Sequence, residues 1–334
     1  MKEINFEHKM GAHCESGTVT ALLNHKGLEI SEPMVFGISG NIFFGYMESS
    51  NFSFPTFIVR NKPGSIRKNF GKYTGVKFHT KSFKSKEKGE AYLNNLINND
   101  IPTAAQVDFY YMDYLPEWQR VHINVHFVTL IGKNETDYLV SDSYFPKKAK
   151  IDINRMTKAR FVNGFMAPKG FLFYPEYIPE NIDLNKAIIK GIKKSAYNMI
   201  KIPIPFLGIK GMRKFARKVV DWPKITRDID HLSHEIMKIT LLLEDQGTGG
   251  AGYRYLFATF LQEASEKLND GSFKDMSKRM MEIGDNWRNI SYFAAKIGKN
   301  RDLGPERLKE LSNMINDRAD EEQIFFTDLY KLVK

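Results

Sequence analysis

From residue 14 the apolar positions Val19, Leu22 and Leu23 recur at helical spacing, and Gly27 stands where such a helix would stop. The pattern predicts a helix beginning near Cys14. A glycine-punctuated apolar stretch follows, "PMVFGISGNIFFGYM", and "KEKGEAYLNNLINND" then predicts another helix ending before "IPTAAQVDFYYMDYL". After that the period shortens. "VHINVHFVTLIG", "DYLVSD" and "KGFLFYP" carry strand-like runs. From about residue 185 the apolar spacing is helical to the end, and the prolines of "YPEYIPEN" mark the change. The pattern predicts an α+β domain over residues 1–178 and an all-α domain over 179–334, with no internal repeat or low-complexity tract.

Composition supports a folded chain: of 334 residues, 42% are hydrophobic and 13% aromatic, enough for a proper core. A single cysteine cannot form an internal disulfide, which points to a reducing compartment. No apolar run has signal-peptide length near the N-terminus, and none elsewhere could span a bilayer. The expectation is a soluble, cytoplasmic protein. The net charge of +10 is concentrated. Residues 60–88 hold ten Lys/Arg against Glu87 alone, and residues 186–224 hold eleven against Asp221 alone, leaving the rest net acidic. Two such segments suit an anionic partner.

The cysteine raises a chemical question. A nucleophilic cysteine reacts as thiolate, which the N–H groups and dipole of a helix N-terminus favour, and Cys14 falls at a predicted helix start. Buried cysteines are common, so a base is needed as well. "VHINVHFVTLIGKNETDYLVSDSYF" predicts a hairpin turning in "GKNET". Centred on Asn134, it sets Leu130 opposite Tyr138, Val128 opposite Val140, and His126 opposite Asp142, all on one face. A carboxylate there can hold one imidazole nitrogen and aim the other at a thiol. His122 shares that face and is the alternative base.

The wording around these residues, from His8 through "HCESG" to "LLNHKGLEISEPMVFGISGNIFF", resembles the N-terminal domain of the butirosin biosynthesis protein H family, related to papain-like cysteine peptidases. Residues 126–142 resemble the second half of that signature, and "LLLEDQGTGGAGYRYLFATFLQEA" resembles the helical domain that often follows it. The resemblance implies a papain-like fold and acyl transfer from a carrier-protein thioester to an amine, in antibiotic or other specialised-metabolite biosynthesis. It makes Cys14 the nucleophile, His126 the general base and acid, and Asp142 the orienting residue. His8 takes the position where papain-like enzymes usually have an oxyanion-donating glutamine, and is expected to supply that donor. A hydrolase or peptidase with the same triad, and a binding protein with a relic triad, are the alternatives.

Other residues carry weaker expectations. Glu15 and Glu32 belong to the recognised wording, either as substrate contacts or as helix-end and internal hydrogen-bond partners. The glycines of "DQGTGGAGYR" follow a helix and lack a P-loop lysine, so they suit a tight interhelical connection. Arg254 is then free for a substrate carboxylate or phosphate, or pairs with an acid such as Glu244. His231, His234 and Glu235 form no H-E-x-x-H, and no metal or cofactor is expected. The expected partners are an acyl carrier protein or other acidic thioester donor and a small amine acceptor. Nucleic acid is not expected, for want of a reader motif. The amphipathic run from Ile188 to Lys218 is compatible with an anionic membrane surface.

Overall fold

The computed structural model describes residues 2–49 and 52–334. In chain order the first elements are β1 (Lys2–Glu3), α1 (Cys14–His25), α2 (Glu32–Ile38), β2 (Ile42–Met47), β3 (Thr56–Arg60) and α3 (Ser65–Thr74). Next come β4 (Lys77–Lys81), α4 (Lys86–Asn98), β5 (Thr103–Val107), β6 (His126–Lys133), β7 (Asp137–Ser141), β8 (Ala149–Asp152), α5 (Ile153–Phe161) and β9 (Leu172–Tyr177). The rest is helical: α6 (Leu184–Ala196), α7 (Gly208–Val219), α8 (Ile229–Thr240), α9 (Arg254–Leu268), α10 (Ser272–Lys299) and α11 (Pro305–Leu332).

The chain divides into two compact units. One comprises residues 1–35 and 66–182, the other residues 36–65 and 183–334. The chain therefore crosses between units more than once, unlike the single cut at 178/179 drawn from the sequence. The physical reason is aromatic packing. Phe44 of β2 stacks on Phe57 of β3 at 5.5 Å and on Trp287 of α10 at 6.0 Å, so the β2–β3 hairpin is held in the core of the helical unit.

In the first unit the strands form an antiparallel sheet ordered β4-β9-β5-β6-β7-β8, with β1 also pairing with β6. Gly132 permits that last pairing: a Cβ there would lie 2.6 Å from the Lys2 carbonyl oxygen. Val128, Leu130, Tyr138 and Val140 pack with Leu93 of α4 and Met156 of α5 in a buried core. Alternate residues of two neighbouring strands thus share one dry face, and burying apolar surface at about 25 cal/mol per Å² holds the sheet to its helices.

The hairpin register differs from the expected one. Thr129 pairs with Ser141 and Leu130 with Val140; after a bulge, Gly132 pairs with Leu139 and Lys133 with Tyr138. The first shift is by two residues, which leaves every side chain on its expected face, whereas a shift by one would have turned them over. The bulge absorbs the extra residue in β6. Among the described residues no helix is long and apolar enough to cross a membrane.

Candidate active site

Each position of "GAHCESG" has a local task. His13 is the N-cap of α1, and its Nδ1 accepts from the Ser16 backbone N–H at 3.3 Å. Cys14 follows as the first helical residue, partly exposed. The Ser16 hydroxyl donates to Glu32 Oε1 at 2.7 Å. Glu32 also accepts from the backbone N–H groups of Ala12 (2.8 Å) and His13 (3.0 Å). One carboxylate therefore gathers the loop before the cysteine and the first turn after it. Burial pushes the Glu32 carboxyl upward, and the hydrogen bonds from Ser16, Ala12 and His13 oppose that rise.

The two glycines dock this loop on the segment that carries Asp142. Gly11 N–H donates to the Ser143 carbonyl at 2.9 Å. A Cβ at Gly17 would lie 2.9 Å from both side-chain atoms of Ser143, closer than a side chain tolerates. The cysteine loop and the Asp142 turn consequently meet backbone to backbone. Thr18 adds a hydroxyl bond to the Phe127 carbonyl at 3.4 Å, tying α1 to β6 beside His126.

His126 opens β6, and Asp142 lies one residue beyond the end of β7. Although the strand register places them past the ladder, their side chains meet: His126 Nε2 lies 2.8 Å from Asp142 Oδ2. That leaves Nδ1 for the thiol, and Cys14 is a hydrogen-bonding neighbour of the His126 ring. Burial disfavours the charged imidazole, but Asp142 and the Cys14 sulfur outweigh it and push His126 up to about 10. Asp142 is fully buried, which works against its charge. His126, the Tyr144 backbone N–H and the Tyr114 hydroxyl outweigh that and hold its carboxyl below the usual range. The last two bonds are 2.9 and 2.7 Å. Phe109 packs edge-on against the His126 ring at 4.8 Å. The arrangement can hold a thiolate–imidazolium pair and move a proton at Nδ1 while Asp142 fixes the ring.

Tyr114 and Phe109 were missed in the sequence. Their only signal is the aromatic run "FYYMDY", which names no role for any one ring.

Four expected site residues, His8, Glu15, Glu32 and Arg254, have partners within the protein. His8 has both ring nitrogens engaged, Nδ1 with Ser141 Oγ at 2.8 Å and Nε2 with the Phe145 carbonyl at 3.0 Å, so no ring N–H is left for an oxyanion. It braces the Asp142 turn from both sides. Glu15 is fully buried, accepts from the Ile66 backbone N–H at 3.2 Å and lies close enough to the Arg67 guanidinium to favour its charge. Glu32 is committed to the cysteine loop as described. Arg254 is fully buried in the helical unit, bidentate to Glu322 at 2.9 and 3.1 Å. Its Nη1 donates to the Gly252 carbonyl, and Trp287 Nε1 donates to the same Glu322 at 2.6 Å. Glu244, the partner considered for Arg254, lies against Arg288 at 3.3 Å instead. The glycine-rich segment makes an interhelical connection with Gly247, Gly249, Gly250 and Gly252 all at positive φ. Among the described residues no cluster of His, Cys, Asp and Glu could hold a metal ion. His122 is not in the hairpin ladder; it pairs with Asp108 outside it.

Residues 13–143 match the family described as "Butirosin biosynthesis protein H, N-terminal", and residues 154–329 match a "Domain of unknown function (DUF4872)". The second match spans more than half of the chain, which belongs to that family, and its N-terminal part is butirosin biosynthesis protein H-like. Its first unit sets a cysteine at the N-terminus of a helix and a histidine on the antiparallel sheet. A crystal structure of a putative C39-like peptidase from Bacillus anthracis is 16% identical and aligns over 54% of this chain and 100% of its own, with a TM-score of 0.37. No curated protein matches the sequence.

Proposed function

We propose that this protein is a cysteine acyltransferase of specialised-metabolite biosynthesis, forming an amide from a thioester donor and an amine through acyl-Cys14. The observation that carries the reading is His126 held between Cys14 and a buried, triply bonded Asp142. In the first step Cys14 attacks the thioester carbonyl. Backbone N–H at the start of α1 takes the oxyanion in place of His8. The imidazolium of His126 gives its proton to the departing thiol, and the ring is left neutral. In the second step an amine attacks, His126 takes a proton from the new C–N centre, and Cys14 leaves as thiolate. Choice of an amine over water as acceptor rests on membership of the butirosin-type family.

The donor we favour is an acyl carrier protein or another acidic thioester carrier. Lys72, Lys77, Lys81, Lys84, Lys86 and Lys88 are all exposed, positive charge in the first unit that an acidic carrier would meet favourably. Lys193, Lys210, Arg217 and Lys218 are exposed in the helical unit. Such docking weakens steeply with salt.

Incubating the protein with a panel of acyl thioesters, with and without primary amines, tests the reading by intact mass and product analysis. Transfer predicts an acyl adduct that needs Cys14 and yields amide faster than free acid. Free acid alone, at a rate amines do not change, would make the protein a hydrolase with the same triad.

A further inference from the structure

A second histidine–aspartate pair stands beside the first and differs from it in exposure. Asp108 is fully buried, while the His122 side chain is 62% exposed. His122 Nδ1 lies 2.7 Å from Asp108 Oδ2. Asp108 Oδ1 accepts from the backbone N–H groups of Tyr110 and Ile123, both at 3.1 Å. One buried carboxylate thereby fixes the His122 tautomer with its proton on Nδ1 and leaves Nε2 as an acceptor. Tyr110 stacks on the His122 ring at 4.2 Å and holds its plane.

Both pairs share one crossing of the chain. Val107, the residue before Asp108, is the register partner of His126. Phe109 packs on His126, and the next residue, Tyr110, packs on His122. The Phe109 backbone N–H donates to the Ile123 carbonyl at 3.0 Å, which locks the two segments together. The buried and the exposed imidazole are therefore packed by consecutive residues of the short helical turn that follows β5.

The proposed transfer removes two protons from a basic amine acceptor. An alkyl amine with a lysine-like pKa of about 10.4 arrives as R–NH3⁺ and must lose two protons to become an amide nitrogen. The first must leave before attack, to expose the lone pair. The second leaves as the C–N bond forms and the C–S bond to Cys14 breaks. His126, neutral once it has protonated the departing donor thiol, can take only the second. We infer that His122, oriented by Asp108, takes the first proton from the acceptor ammonium and passes it to solvent. This makes His122 a catalytic residue of the second half-reaction and assigns the acceptor to the class of basic primary amines. The inference rests on the acyl-transfer reading.

The test compares two acceptors on preformed acyl-Cys14, followed by intact mass. A basic alkyl amine needs the first deprotonation; hydroxylamine, unprotonated at neutral pH, does not. In His122→Gln the ratio of discharge rates, alkyl amine over hydroxylamine, should fall by about 100-fold, the usual contribution of a general base. Asp108→Asn should lower the same ratio in part, with Tm reporting its loss of backbone bonds separately. A ratio unchanged from the native protein, whether both rates fall together or neither falls, would overturn the inference. Absence of any acyl adduct on the native protein would instead overturn the acyl-transfer reading, and this inference with it.

Discussion

Two carboxylates, the half-buried Glu32 in the sheet-containing unit and the fully buried Glu322 in the helical unit, each accept several donors and do different work. Glu32 takes two backbone N–H groups and the Ser16 hydroxyl, all from the loop and helix start that present Cys14. Glu322 takes the guanidinium of Arg254 and the indole of Trp287, which joins α9, α10 and α11. The first fixes a reactive atom that is itself partly exposed. The second fixes a helix junction with no exposed surface, since Arg254 and Glu322 are both fully buried. A carboxylate with several hydrogen bonds made is a structural part in either unit, and what its partners carry decides whether chemistry depends on it.

The comparison can be broken at several points, and the expected effects descend in size. Cys14→Ala should abolish acyl transfer, by on the order of 10⁴-fold or more, while thermal unfolding stays near the native curve; turnover assays beside calorimetry check both. Glu322→Gln should leave Arg254 buried without its counter-charge and cost about 3–5 kcal/mol in denaturant unfolding. Pairing Arg254→Met with Glu322→Leu should recover part of that loss, because no unpaired charge remains although the Trp287 indole N–H loses its acceptor. Glu32→Gln should do the reverse, lowering kcat by about 100-fold through a displaced cysteine loop at little cost in stability. Gly17→Ala sharpens the point: the new methyl must push Ser143 away, with an overpacking cost of about 1–3 kcal/mol and a parallel loss of turnover.

The smallest effect expected is on the pH dependence of stability. His126 is raised from its ordinary value to about 10, so its contribution is complete below about 6.5, the unfolded value. That contribution is lost as the pH climbs through about 10. Asp142 is depressed, so its contribution is present above the ordinary aspartate value of about 3.9 and is lost as acid titrates it at its lowered value. Melting curves of the native protein and His126→Asn, compared from about pH 4 to about pH 11, should converge at the alkaline end.

Much of this was legible in the sequence, though partly for reasons the structure revises. The helix at Cys14 and the sharing of a face by His126 and Asp142 follow from periodicity. The pairing survived an error in register because the slip was by two residues and a bulge took up the next one. The pairing of Cys14 with His126 and Asp142 was legible in the family wording as well. What could not be read was which polar groups are already satisfied. His8 sits six residues before the cysteine, where an oxyanion donor was expected, yet Ser141 and the Phe145 carbonyl consume it. Glu15, Glu32 and Arg254 look like free charges in a string of letters and become internal braces only once distant segments, such as Ile66 or Glu322, fold onto them. The hairpin of residues 42–60 shows the same limit. Its first strand reads only as part of a glycine-punctuated apolar stretch, and its place in the helical unit depends on rings from α7 and α10.

The most direct test of the central claim is the alkylation rate of Cys14 by limiting iodoacetamide at neutral pH, read by intact mass in the native protein and in His126→Ala. The account predicts rapid, single labelling that slows markedly without His126, because the imidazolium partner of the thiolate is gone. Labelling no faster than that of a simple thiol, and indifferent to His126, would contradict it.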